Sequence, residues 1–149
     1  MSTTGLDVFD KTLQNTYLWL KDIMEDLGPD RHVAYRVLGA VLHALRDRLT
    51  VDEAAHLGAQ LPLLVRGIYF DQWHPAGKPN KIRDRDEFLQ RIGEELRDIR
   101  PVDPEDAARS VFKTVSRHIS AGEVEDVYSS LPQTIRQLWP QADTTSQTR

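Results

Sequence analysis

The residues best placed to do chemistry lie on one short stretch, Glu53-Ala54-Ala55-His56. A Glu-x-x-His spacing on a helix sets a carboxylate and an imidazole one turn apart on the same face. Di-iron bundles use such pairs, but they need two of them and two further glutamates. At an offset of 70 residues, from Glu53 to Glu123, the chain offers Glu123-Val124-Glu125-Asp126, with a carboxylate where the histidine would stand. Glu53, His56, Glu123 and Asp126 therefore form the candidate set for a metal or small ligand. Both glutamates also have a simpler occupation. Thr50-Val51-Asp52-Glu53 reads as a capping box, in which the Thr50 hydroxyl accepts from the Glu53 amide and the carboxylate reaches back to the amide of Thr50. Ser120-Ala121-Gly122-Glu123 repeats it. Capping accounts for Glu53 without a metal, His56 flanks the apolar stripe instead of lying in it, and no cofactor is expected.

The remaining constellations are weaker. His43 and Asp47 stand four apart on a helical stretch, which suits a shared cation or an exposed hydrogen bond, the latter being the ordinary case. Ser116 and His118 are too close in sequence to imply a dyad, and nothing supplies an orienting third group. No glycine-rich phosphate loop, H-E-x-x-H or nucleophile elbow is present. An enzyme is not the reading these residues favour.

Composition narrows the partners. A formal net charge of −4 argues against a general nucleic-acid binder. The chain has no cysteine, so disulfides and thiolate metal sites are excluded. Hydrophobic residues at 40% and charged residues at 28% are those of a soluble globular protein. No apolar run approaches the roughly 20 residues that span a bilayer, and no membrane contact is expected. MSTTGLDVFDKTLQ carries no basic segment followed by an apolar one, so the expected location is the cytoplasm.

The elements that must hold these residues follow from helical periodicity. Leu6, Phe9, Leu13, Tyr17, Leu20, Ile23 or Met24, and Leu27 predict a helix, with a break conceivable near Asn15-Thr16, and Gly28-Pro29-Asp30 stops it. A second helix spans about Arg31 to Arg48, with Val37, Leu38, Val41, Leu42, Leu45 and Leu49 as its buried stripe. A third runs from Thr50 to about Ala59. A fourth begins at Pro62, where a missing amide costs nothing, and carries Leu64, Val65, Ile68 and Tyr69. The pattern then restarts at Asp84. Phe88, Leu89, Ile92 and Leu96 follow Trp19, Leu20, Ile23 and Leu27, and Val111, Phe112 and Val115 follow Val41, Leu42 and Leu45. Leu61-Pro62 falls on Leu131-Pro132, and Arg66 on Arg136.

A period of this length dictates architecture. Each half is a four-helix unit with one greasy side, too small to be stable alone. The expected fold is all-α, one domain over residues 1–149 built of two tandem four-helix repeats, about 6–69 and 84–139, with an approximate internal two-fold. Residues 70–83 are the connector, and the polar stretch 141–149 is expected to be disordered. Glu53, Glu123, Arg66 and Arg136 read as structural locks, each arginine reaching a carboxylate or helix end in its own half. In the connector Tyr69, Phe70, Trp73 and His74 set large rings beside Lys78, Lys81, Arg83 and Arg85. This is the composition of an interface hot spot. Single-stranded nucleic acid would suit it less, and the bland version has Trp73 folded back over the gap between the halves.

Ala59-Gln60-Leu61-Pro62, Arg66-Gly67, Tyr69 and Trp73, followed by Leu131-Pro132 and Leu138-Trp139, resemble the signature of the domain-of-unknown-function family numbered twenty-two sixty-seven. The resemblance covers nearly the whole chain. It implies a bacterial, helical protein, and it carries over no catalytic residue. The reading reached from sequence is a non-catalytic protein-interaction or scaffold module, with an unidentified protein partner or a second copy of itself. The alternative is a helical protein that binds a metal or small ligand through Glu53, His56, Glu123 and Asp126.

Overall fold

A computed structural model describes residues 3–140. It contains α1 (Asp7–Leu27), α2 (Arg31–Arg48), α3 (Val51–Gln60), α4 (Leu63–Phe70), α5 (Arg85–Glu95), α6 (Pro104–His118), α7 (Ala121–Ser129) and α8 (Gln133–Arg136), and no strand among the described residues. The stretch 141–149, for which the sequence predicts disorder, lies outside them.

Local chemistry sets the boundaries. Asp30 caps α2 by accepting from the amides of His32 and Val33, and Asp84 and Asp103 cap α5 and α6. Gly28 ends α1 at φ 113°, in the region glycine tolerates. The break conceivable near Asn15-Thr16 does not occur. The Thr16 hydroxyl donates to the carbonyl of Thr12 and is absorbed into the helix. Pro62 and Pro132 stand just before α4 and α8, and α8 is only one turn long where α4 has two.

The core is organised around α2, which packs on α1, α4, α5 and α6. Val37, Leu38, Val41, Leu42 and Leu45 of α2 are fully buried, as are Val111, Phe112 and Val115 of α6. α2 also meets α6, and α3 meets α7. The second of these contacts places the candidate site.

The C-terminal turn of α2 buries three consecutive charged residues, Arg46, Asp47 and Arg48. Buried charges survive only when paired and hydrogen-bonded. Arg46 binds the Asp47 carboxylate through Nε at 2.8 Å and donates from Nη1 to the carbonyls of Tyr69 and Asp71. Arg91 of α5 reaches the same carboxylate at 2.8 Å. Arg48 donates from Nε to the carbonyl of Ile82, and the Asn80 amide donates to the Asp47 carbonyl, so the connector is stitched to the end of α2.

His43 and Asp47 do not meet, contrary to the pairing their spacing suggests. Asp47 is taken by the two arginines. His43 instead bridges α2, α5 and α4, with Nδ1 2.8 Å from Glu95 Oε2 and Nε2 2.8 Å from the Ile68 carbonyl. Both partners accept, so both ring nitrogens donate only when the imidazole is charged. Burial alone would lower its pKa. The Glu95 carboxylate and the Ile68 carbonyl outweigh burial and raise it above the ordinary 6.5. A raised histidine pKa stabilises the fold fully below about pH 6.5 and loses that contribution as pH rises through the folded value. Denaturant unfolding of the wild type should therefore show a stability decrease above pH 6.5, and His43→Gln should remove that part of the slope.

Candidate functional site

Glu53 and Glu123 each occupy the third position of a helix, and each amide is bonded by the capping hydroxyl before it. Glu53 N donates to Thr50 Oγ1 at 3.1 Å, and Glu123 N donates to Ser120 Oγ at 3.2 Å. The other half of each capping box is not made. The Ser120 amide donates to Gln60 Oε1 at 3.3 Å instead, and neither glutamate side chain turns back to its own cap. Contact between α3 and α7 turns both carboxylates toward each other and toward His56.

The three side chains each present one donor atom, and these atoms lie within 4.8 Å of one another. His56 Nδ1 is 3.3 Å from Glu123 Oε1. The surroundings grade from wet to dry across this distance. The His56 side chain is 72% exposed, Glu53 is half-buried, and Glu123 is only 4% exposed. Oε2 of Glu53 and Oε2 of Glu123 are both buried, and neither accepts from an N–H or hydroxyl donor. Asp126, the fourth residue of the sequence-derived set, is exposed on α7. It stays outside the cluster of donor atoms but close enough to act on Glu53 electrostatically.

Two carboxylates this close cannot both ionise at ordinary cost. Burial, then the hydrogen bond and charge of Glu123, then the charge of Asp126, push the Glu53 carboxyl up to about 8. At neutral pH the pair therefore holds either a proton or some other positive charge. The Tyr69 hydroxyl donates to the Ala54 carbonyl at 2.7 Å, and burial pushes the tyrosine pKa far up, so Tyr69 is neutral.

Arg66 and Arg136 bind helix ends. Arg66 donates to the carbonyls of Gly58 and Leu61, and Arg136 to those of Leu131 and Ser129. These bonds reach carbonyls where α3 and α7 finish and tie each end to the helix that follows. Gly58 adds a steric condition, since a Cβ there would come within 2.5 Å of the Phe70 ring.

The connector does not offer the strip of exposed rings its composition suggests. Tyr69 is fully buried. Phe70 stacks edge-on against it with centroids 4.8 Å apart, and Trp73 covers Phe70 at 5.2 Å. Of the four candidate interaction residues, only His74 is exposed. Intramolecular packing has taken the rings. The sequence reading missed the Arg46–Asp47–Arg91 network and the depth of Glu123. The run Arg46-Asp47-Arg48 at the end of so apolar a helix was the available signal for the first.

The titration of Glu53 is directly measurable. Carbon-detected NMR of the metal-free protein should give a Glu53 midpoint near 8. Glu123→Gln should move it down toward the ordinary 4.5. Because this carboxyl is raised on folding, its contribution to stability is full below 4.5 and is lost as pH rises through about 8.

No curated protein matches the chain. Among the described residues no helix is long and apolar enough to cross a membrane. A family model described as an uncharacterised conserved protein, DUF2267, matches residues 16–138, the span that holds α2 to α8, both glutamates, His56 and both arginines. The chain belongs to the DUF2267 family.

Proposed function

We propose that this protein is a non-catalytic binding protein that takes a divalent cation at the seam of α3 and α7. One observation carries the reading. A nearly fully buried carboxylate, Glu123, keeps an unpartnered oxygen beside a second carboxylate and an imidazole. Leaving a buried acceptor unmet costs about 1–3 kcal/mol, more when it is charged. A cation at the seam would neutralise both carboxylates and give the cluster a positive partner. Two carboxylates and a divalent ion also sum to zero charge, which lowers the cost of keeping Glu123 out of water. The alignment of α3 with α7 is what makes such a site available, and we read the chain as a duplicated unit whose two copies each contribute a glutamate.

Elemental analysis of the purified protein, with thermal unfolding before and after chelation, tests this. A ligand at a hundredfold excess over its Kd stabilises by about 2.7 kcal/mol, which is several degrees in Tm for a chain of this size. The wild type should lose that increment on chelation, and Glu123→Gln should have none to lose. Equal melting of the wild type with and without metal would remove the reading.

A protein-contact role is the second reading, favoured by a different feature. Phe9 and Leu13 of α1 with Leu63 and Leu64 of α4 line an apolar groove of about 370 Å³, and Leu6, Val8, Phe9, Leu63 and Leu64 are exposed. Burial of such a face would come from a second copy of the chain. Sedimentation at several concentrations should then show association that Leu64→Glu abolishes. A monomer at every concentration would dismiss self-association.

A further inference from the structure

Resting on the cation reading above, we propose that the ion is a borderline divalent metal of the zinc(II) class, held by Glu53, His56 and Glu123 with one position left to water. Calcium takes six to eight oxygen ligands and magnesium an octahedron of oxygens and waters. The seam offers two carboxylates and an imidazole nitrogen instead. Imidazole suits zinc and its neighbours in the first transition row, and the thiolates that would draw softer ions are absent from a chain without cysteine. Three protein ligands and one open position are the arrangement zinc adopts where water is admitted.

Helix spacing and one ligand edge fit this assignment. Glu53 and His56 are three apart on α3, so one helix face supplies two ligands without strain. The third comes from α7. Zinc bonds of about 2.0–2.1 Å at tetrahedral angles set neighbouring ligand atoms about 3.4 Å apart. His56 Nδ1 and Glu123 Oε1 stand 3.3 Å apart, longer than the roughly 2.7–2.9 Å of a charge-assisted hydrogen bond and close to that tetrahedral edge. His56 is also the exposed member, so it can swing without disturbing the core while Glu123 stays fixed. Asp126 lies outside the donor set and adds negative charge at the mouth.

Calorimetric titration of chelator-stripped protein with zinc, magnesium and calcium chlorides, each separately, tests the assignment, with circular dichroism confirming that every variant is folded. Zinc should bind one to one and at least a hundredfold tighter than either alkaline-earth ion. His56→Ala should weaken zinc at least tenfold, and Glu123→Gln should abolish its binding. Magnesium or calcium binding as tightly as zinc, and lost in Glu123→Gln, would overturn the metal class and leave the cation site standing. Absence of binding by all three ions, or zinc binding indifferent to both substitutions, would overturn the assignment and the site together.

Discussion

Two carboxylates driven to one point cannot both be charged, and the α3–α7 seam is built around that constraint. Each glutamate arrives there for a local reason. It is the third residue of a helix whose first turn is capped by a hydroxyl. Local chemistry would send each side chain back to its own cap. Packing of α3 on α7 overrules this and leaves two orphaned oxygens in the interior. A positive charge between them relieves the conflict, and a proton and a metal ion are alternative ways of supplying it. In the proposed site that exchange would link the pH behaviour of the fold to its ligand chemistry.

Contacts around the seam tie its short helices to their neighbours. Arg66 and Arg136 tie the carbonyl ends of α3 and α7 to the helices that follow. Gly58 admits the Phe70 ring against α3. The buried Arg46–Asp47–Arg91 group closes the far end of α2 and anchors the connector. With its three side chains already side by side, the proposed site would bind with little further ordering of its ligands.

Much of the fold was readable from the chain, because helix periodicity and capping are local. Asp30, Thr50, Asp84, Asp103 and Ser120 all cap the helices that follow them, and each is announced by residue type. Gly28 and the two Leu-Pro steps mark ends in the same way. Partner choice over long distances was not readable. Nothing in the spacing of His43 and Asp47 says that one will find Glu95 and the other Arg91, since those contacts exist only once α5 lies on α2. The site shows the same division. Glu53 and His56 were visible as a pair on one helix. Glu123 was visible as a cap, but its burial and its approach to His56 depend on α7 meeting α3. The connector stayed open between two readings for a related reason, because composition does not tell whether Tyr69, Phe70 and Trp73 will face a partner or one another.

The most direct test of this account is equilibrium unfolding at pH 9 with all metal chelated, comparing wild type with Glu53→Gln. If the two carboxylates are a repelling pair that needs a positive charge between them, glutamine removes the repulsion and the variant is the more stable protein under those conditions. If Glu53 is instead an ordinary helix-start carboxylate, the variant loses stability, and the central constraint is wrong.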